Sequence, residues 1–472
     1  MNRRRLLATV GSVFSLSGCL RLQSGNGSNS PTPAPTVDDA PSGTDEPSIE
    51  TTTDQESTPE PDTPTPPPAS GPLSGSWPQY SFDAANSGYV SDGSGPTGDV
   101  MVRWRHDVDD LLTSSPVVAN GIAFITVHGK SPKIVAIDTQ DGAELWVQSL
   151  QGASPISSPA VLGDRVYVVS MNGDVFGLDT EAGSYVWQAS IDEQPFAAPT
   201  VVEDTVVLTS MEGSAYAFDR ASGDERWRYQ PEAYAFLSTP AVAGDTVFVT
   251  SLTPLELPDG VDELFEFNPP PQFFMWNDLG EDPMATVASL DARGTVHALD
   301  RVDGTRIWTQ ELPDFVVSSP AVGQDSVVVG CWDHQLYALD RASGTERWTH
   351  ETDAPITSTP AIAGRSVYVG GWDGNLYSVD RSSGEREWFL PLGSKSNAPP
   401  AVVDDTVYAV ADNRGIVAAS TSGRRRWEFT GPIGDYNASA PAVVDGSLLV
   451  CGDSRSVDEE RELGSLFRLD AA

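Results

Sequence analysis

Cysteine and histidine are both scarce in this sequence. The three cysteines, Cys19, Cys331 and Cys451, are too few to build a disulfide framework. The five histidines are scattered, and none stands at a metal-ligand spacing from a cysteine. The sequence therefore predicts neither a disulfide-stabilised fold nor a metal centre.

Basic residues are also few, and lysine occurs only at Lys130, Lys133 and Lys395. Lys plus Arg is 28 against 67 Asp plus Glu, which gives a formal net charge of −39. A charge of this sign excludes binding to a nucleic-acid backbone or an anionic lipid surface. With 39% hydrophobic residues the chain can still bury a core. Excess acid with little lysine resembles proteins of salt-loving archaea; the alternative is an ordinary acidic protein.

The first 19 residues have the pattern of an export signal. Arg3, Arg4 and Arg5 precede an apolar run that is too short to span a bilayer. The sequence Leu-Ser-Gly-Cys ending at Cys19 resembles a lipobox, which implies that Cys19 is lipidated. The arginines also resemble a twin-arginine signal. An ordinary secretory signal with a chance cysteine is the alternative.

Residues 20–75 are rich in Ser, Thr, Pro, Asp and Glu and contain almost no large apolar side chains. Such a segment cannot bury a core and predicts a disordered, extended tether. The two ends together predict a protein that is exported and lipid-anchored to the outer face of the cytoplasmic membrane.

One pattern recurs through residues 76–472. Its clearest copy runs from Ala338 to Trp348, and each copy ends in a tryptophan. These tryptophans are Trp104, Trp146, Trp187, Trp227, Trp308, Trp348, Trp388 and Trp427. A proline that follows small residues marks each repeat at a constant offset from them. The spacing is close to 40 residues, except for one gap of 81 that indicates an insertion at about 252–283.

A period near 40 built from short β segments predicts an all-β, eight-bladed propeller. The sixth repeat, from Ile356 to Leu390, shows four strand-like segments separated by turn residues. The eighth repeat ends after a third strand. The segment Val102–His106 is predicted to supply its fourth strand and to close the ring, because closure removes exposed sheet edges.

These repeats resemble the tryptophan-docking motif of the pyrroloquinoline quinone (PQQ) propeller superfamily, and Trp77-Pro78-Gln79-Tyr80 resembles its N-terminal approach segment. The resemblance implies that each repeat tryptophan packs against the next blade. It leaves two functions open: PQQ-dependent alcohol or sugar dehydrogenases that use calcium, and non-catalytic lipoproteins with the architecture of BamB. The motif specifies a fold rather than a function.

The dehydrogenases in this superfamily carry an adjacent Cys-Cys pair, and this chain has none. Most repeats are also near-minimal, which leaves no room for the long loops that carry a catalytic Asp and calcium ligands. The sequence therefore predicts no catalytic residue, metal or cofactor, with PQQ and calcium as the alternative.

Strand topology places the second-to-third strand turns and the fourth-to-first connections on one face, with the insertion. Two tryptophans on this face, each followed by an aspartate, are expected to form local turns in which the ring covers a neighbouring strand. The alternative is that both rings are exposed and stack a ligand or clasp a cation. The candidate binding residues are Trp332, Asp333, His334, Trp372, Asp373, Asn375, Asp412, Asn413, Arg414, Phe273, Phe274 and Trp276.

On the opposite face Arg220, Arg301, Arg341 and Arg381 are expected to pair with nearby acids such as Glu225, Glu346 and Glu385. The resulting hypothesis is a non-enzymatic scaffold that binds extracytoplasmic proteins and no nucleic acid. A surface binder of sugar or peptide is a further alternative.

Overall fold

A computed structural model describes residues 73–472 except 111, 113, 151–154, 156, 232–234, 237, 255–291, 413, 431–438 and 456–461. Every regular element in the described part is a β-strand. The strands form eight separate sheets that match the eight predicted repeats, and all their pairings are antiparallel except that of β1 (Tyr89–Val90). The signal sequence, Cys19 and nearly all of the tether lie outside the described residues.

The first four blades follow the chain order. Blade 1 contains β3 (Val117–Ala119), β4 (Ile122–Val127), β5 (Lys133–Asp138) and β6 (Glu144–Ser149). Blade 2 contains β7 (Ala160–Leu162), β8 (Arg165–Val169), β9 (Asp174–Asp179) and β10 (Tyr185–Ser190). Blade 3 contains β11 (Thr200–Val202), β12 (Thr205–Thr209), β13 (Ala215–Asp219) and β14 (Glu225–Tyr229). Blade 4 contains β15 (Ala235–Phe236), β16 (Ala241–Ala243), β17 (Thr246–Pro254), β18 (Ala292–Asp300) and β19 (Arg306–Leu312).

The remaining blades use both ends of the described chain. Blade 5 contains β20 (Ala321–Val322), β21 (Ser326–Gly330), β22 (Gln335–Asp340) and β23 (Glu346–Glu351). Blade 6 contains β24 (Ala361–Ala363), β25 (Ser366–Gly370), β26 (Asn375–Asp380) and β27 (Arg386–Pro391). Blade 7 contains β28 (Ala401–Val403), β29 (Thr406–Ala411), β30 (Gly415–Ser420) and β31 (Arg425–Phe429), with β1 (Tyr89–Val90) parallel to β28. Blade 8 contains β32 (Ala442–Val444), β33 (Ser447–Arg455), β34 (Glu462–Ala471) and β2 (Val100–Asp107).

The predicted ring closure is confirmed. Strand β2, near the start of the described chain, pairs antiparallel with β34 near its end. Trp104 on β2 then donates its indole N–H to the Thr139 carbonyl of blade 1 at 3.0 Å. Because β2 completes the last blade, no sheet edge is left open at this junction.

Strand burial follows position within a blade. Third strands such as β26 are buried along both faces, whereas fourth strands such as β23 expose alternate residues and bury mainly the repeat tryptophan. The third strand lies in the middle of its blade and is covered on both faces by the neighbouring blades. The fourth strand is the outermost one and faces water on one side. The core therefore lies between neighbouring blades rather than at a single centre.

The repeat tryptophans dock between blades, as the resemblance implies. Each indole N–H donates to a main-chain carbonyl at 2.8 to 3.1 Å. Seven of these carbonyls belong to the third-to-fourth strand turn of the next blade, and the Trp308 indole, for example, bonds the Arg341 carbonyl. The ring lies against the turn glycine: a Cβ added to Gly344 would be 2.5 Å from Trp308 Cε3. This contact and a φ of +74° explain why the motif needs glycine there.

The N-terminal segment of residues 77–94 runs along the inner strands of all eight blades, which the sequence did not indicate. Val161, Val242, Val322 and similarly placed residues of successive inner strands donate their N–H groups to its carbonyls. The Gln79 side chain bonds both the N–H and the carbonyl of Val201 in blade 3. Further contacts to blades 1, 6, 7 and 8 complete the circuit. This inner strap thus ties the blades together at the axis.

Candidate binding face

The turns between the second and third strands of blades 5, 6 and 7 lie beside the connections that enter the same blades, as the topology predicts. The N–H groups of Trp332, Trp372 and Asp412 donate to carbonyls of those connections at 2.9 to 3.1 Å. Main-chain bonds thus fix the position of each turn. The face defined by these three residues is called the Trp372 face below.

Trp332 is buried, so it packs locally and is not one of two exposed rings that could stack a ligand. Its side chain is only 4% exposed and packs edge-on against Phe315 and Trp372, with ring centroids 5.8 and 5.3 Å apart. Trp332 therefore supports its neighbour, and Trp372, which is partly exposed, is the aromatic ring available at the surface.

The two aspartates that follow the tryptophans are engaged within their own hairpins. The Asp333 carboxylate accepts the N–H of Gln335 at 3.0 Å and the hydroxyl of Tyr337. Asp373 makes the same two contacts with Asn375 and Tyr377. Burial, followed by the Asp373 carboxylate, raises the pKa of Tyr377 to about 12. These carboxylates shape the turns, which is a sufficient reason for their presence.

A hydrogen-bond network links blades 6 and 7 beneath Trp372. The Trp372 indole N–H donates to Thr357 Oγ1 at 2.8 Å and to the Asn397 side-chain oxygen at 2.5 Å. The Asn397 amide nitrogen in turn donates to Asp412 Oδ2 at 2.7 Å. The network fixes the orientation of the indole across two blades.

Asp412 is the most unusual group of this face. Its side chain is 2% exposed, and Oδ1 has no hydrogen-bond partner among the described residues. Burial raises the pKa of Asp412 to about 6, against the opposing influence of Lys395 and Asn397. The Lys395 ammonium lies 4.0 Å from Asp412 Oδ2 and 4.9 Å from the Trp372 ring centroid. The carboxylate and the indole therefore hold one of the three lysines at the surface.

Some of the other predicted site residues lie on this face, and others lie outside the described residues. His334 and Arg414 are exposed on this face, and the Asn375 amide donates to the Tyr377 hydroxyl at 3.4 Å. Asn413, Phe273, Phe274 and Trp276 lie outside the described residues. The structure thus brings together Trp332, Trp372 and Asp412.

Sequence reasoning missed Thr357, Lys395 and Asn397. A usable signal existed, because Thr357 and Asn397 each stand three residues before a repeat proline, Pro360 or Pro400. Other repeats, for instance at Phe196 and Val317, carry apolar residues at that place. A polar side chain there departs from the repeat.

Comparison with known proteins gives a family. The family described as outer membrane protein assembly factor BamB matches residues 87–198, 172–268 and 283–472. This chain belongs to the BamB family. Its relatives are distant: BamB of Salmonella typhimurium is 30% identical over 101 residues, or 21% of this chain and 23% of the relative. BamB of Pseudomonas aeruginosa is 33% identical over 86 residues, or 16% of this chain and 22% of the relative. The matched stretches span less than a quarter of these relatives' own length.

Solved structures share the fold with this member of the BamB family. BamB from Moraxella catarrhalis superimposes with a TM-score of 0.51 at 18% identity, covering 73% of this chain and 98% of that one. A quinohemoprotein alcohol dehydrogenase from Pseudomonas putida superimposes with a TM-score of 0.63 at 13% identity, covering 85% of this chain and 80% of that one. At these identities the likeness shows the propeller fold and does not choose between the two functions.

Three features of the described residues bear on a calcium-assisted quinone site in this BamB-family chain. Cys331 and Cys451 are buried in different blades, 5 and 8, so they do not form an adjacent pair, and burial raises the pKa of Cys331. The Asn397 oxygen already accepts from Trp372 and Thr357. No group of three or more His, Cys, Asp or Glu suited to a metal occurs in the part of the chain that the structure describes. No step through a quinone is therefore derived.

On the opposite face, Arg301 forms salt bridges as expected, although with acids other than those predicted, and two other arginines contact the main chain instead. Arg301 contacts Glu203, Asp204 and Asp245. Arg220 and Arg341 donate to main-chain carbonyls in the preceding blades, at Leu162 and Ala243. The acids expected as partners, Glu225 and Glu346, are exposed on their fourth strands instead. These arginines join blades to one another. The described residues also contain no helix with the length and apolar character needed to cross a membrane.

Proposed function

We propose that this chain is a non-catalytic scaffold that binds extracytoplasmic proteins and is lipid-anchored through Cys19 to the outer face of the cytoplasmic membrane. Membership of the BamB family and the lipobox-like leader support the proposal. The proposal includes no cofactor, and Trp372, Thr357 and Asn397 are engaged with one another.

The observation that carries the proposal is the way Trp372 and Lys395 are presented. The indole N–H has two acceptors, and the ammonium lies beside Asp412 and over the indole ring. The Lys395 side chain nevertheless remains 38% exposed. A partly exposed aromatic ring and a fixed cation on a rigid frame are typical anchors of protein interfaces.

Site-specific photo-crosslinking tests which face binds a partner. A photoreactive residue at Asp353, which is exposed beside Asp373, is compared with one at Val302, which is 68% exposed on the opposite face. We expect one discrete protein adduct from position 353 and none from 302. The captured protein, purified separately, should bind the wild-type chain and bind the Lys395→Gln variant at least about tenfold more weakly. Equal adducts at both positions, or unchanged affinity in that variant, would contradict the choice of face.

The anchor and the absence of a quinone are tested separately. Cys19→Ser should release the protein from the membrane fraction or leave its leader uncut. PQQ titrated into the full chain, with and without calcium, should cause no saturable change in tryptophan fluorescence up to about 100 μM. Saturable binding at micromolar or lower concentration would instead support the dehydrogenase alternative.

A further inference from the structure

The turn between the third and fourth strands of blade 7 departs from the repeat. In blades 1 to 6 this turn begins with an aspartate: Asp138, Asp179, Asp219, Asp300, Asp340 or Asp380. In blade 7 it begins with Ser420 and continues into Arg424, Arg425 and Arg426, with no acidic residue before Trp427. Outside the leader, no other run of three arginines occurs in this sequence, whose net charge is −39.

The fold does not require these arginines. The Ser420 hydroxyl accepts the Arg424 N–H at 3.1 Å and so takes over the turn-closing role of the aspartate. Trp427 docks on the carbonyl of Pro96 at 2.9 Å, not on a turn of the next blade. This difference arises because β34 and β2 of blade 8 come from opposite ends of the described chain and are not joined by a hairpin turn.

An open cleft of about 530 Å³ lies beside this turn of blade 7. Its lining residues are Thr97, Asp405, Arg424, Arg425 and Arg426. The three arginines thus border a cleft next to Pro96, the residue whose carbonyl accepts the Trp427 N–H.

The three arginines differ in how they are held. Arg426 pairs with Asp405 at 2.5 Å, and Arg425 pairs with Glu428 and also donates to the Pro391 carbonyl. Arg424 is exposed, and none of the described residues accepts a hydrogen bond from its guanidinium. Two of the three positive charges are therefore neutralised within the chain, and the third faces solvent.

We propose that this arginine cleft binds a carboxylate-bearing segment of an acidic protein, with the Arg424 guanidinium as the bidentate donor to one carboxylate. Guanidinium groups match carboxylates geometrically, and their pairs are stronger than ordinary hydrogen bonds. An enclosed oxyanion site would need several unengaged donors that converge, whereas this cleft is open and offers one. On an acidic surface a cluster of arginines also favours one register of an acidic partner. The cleft lies on the face opposite Trp372, so it is independent of the function proposed above.

Fluorescence anisotropy with labelled hexaglutamate and the full-length chain at about 0.15 M KCl tests the cleft. We expect saturable binding to the wild type and an increase in Kd of about tenfold for Arg424→Gln, the loss expected for one charge-assisted contact. Arg365→Gln is the matched control, because the Arg365 side chain is 90% exposed on the same face and pairs with Asp380. Its Kd should stay within about twofold of the wild type.

Three results would overturn the proposal. The first is a Kd that shifts equally in both variants, with near-ultraviolet circular dichroism confirming that both are folded. The second is binding of neutral hexaglutamine as tight as that of hexaglutamate, or no binding of either. The third is displacement of hexaglutamate by inorganic phosphate at an equal concentration of charge, which would identify a general oxyanion site instead of a peptide site.

Discussion

At the residue scale, the least ordinary group is the buried carboxylate of Asp412. A carboxylate with one unpartnered oxygen and a raised pKa destabilises the folded state at neutral pH. The buried side-chain amide of Asn86, in contrast, donates to main-chain carbonyls. Asp412 is therefore better explained by its hold on Lys395 than by stability.

Asp412→Asn should stabilise the protein at pH 8. The folded-state pKa of Asp412, about 6, lies above the usual unfolded value. Ionisation of Asp412 therefore lowers the free energy of unfolding progressively as the pH rises from about 4 to about 6, and has no effect below about pH 4. The variant should gain about 1–3 kcal/mol at pH 8 and nothing near pH 4. Denaturant midpoints at both pH values measure this.

Asp340→Asn is the control for that experiment, with the opposite sign. Asp340 accepts hydrogen bonds from the Ser343 side chain and from main-chain N–H groups, which lower its pKa. Its contribution is present above the unfolded pKa and is lost as the pH falls. Asp340→Asn should therefore be less stable than wild type at pH 8. A loss of stability in Asp412→Asn at pH 8 would refute our account of Asp412.

At the scale of the element, the turn that receives the docking tryptophan needs a glycine for two reasons: a positive φ and close contact with the indole ring. Gly344 has a φ of +74° and lies against Trp308, whereas Gly364 has a φ of +58° with nothing within 4 Å of an added Cβ. Both alanine variants should lose about 1 kcal/mol to backbone strain. Gly344→Ala should lose about 1–3 kcal/mol more, because the methyl group displaces the indole. Unfolding midpoints of the two variants measure the difference, and equal midpoints would show that docking tolerates the methyl group.

The inner strap makes a second prediction at this scale. Asn86 has a φ of +52°, and its amide nitrogen donates to carbonyls of Thr239, Pro240 and Pro320 in blades 4 and 5. Asn86→Gly suits the backbone but removes these bonds, so it should cost about 1–3 kcal/mol and speed proteolysis of the strap. Ser81→Gly is the matched control: Ser81 is buried at a φ of +49°, and its hydroxyl has no partner among the described residues. Equal proteolysis rates in the two variants would mean that Asn86 does not hold the strap.

At the scale of the whole molecule, the net charge of −39 opposes compaction. Ion pairs on the described surface engage only part of the acid, and the turns repeat exposed aspartates around the ring. Neutral salt should therefore stabilise the fold. We expect the apparent Tm to rise by roughly 5–10 °C between 0.1 and 2 M KCl. Sorbitol at matched osmolality is the control, and an equal rise in sorbitol would show that charge screening is not the cause.

The sequence by itself determined the propeller, its blade number and the docking tryptophans. A segment with the same strand pattern, turn residues and terminal tryptophan recurs about every 40 residues. Ring closure by β2 also followed from the missing fourth strand of the last repeat. These features rest on local periodicity and turn chemistry, which are readable along the chain.

Only the tertiary structure decided which side chains meet across blades. Trp332 is buried because Phe315 and Trp372 cover it, and neither contact is close in sequence. Lys395, Asn397 and Asp412 act together with Trp372 through connections from different repeats. The inner strap has no repeat of its own, since each of its residues faces a different blade. Such contacts depend on how the ring closes in space, and the order of residues along the chain does not state them.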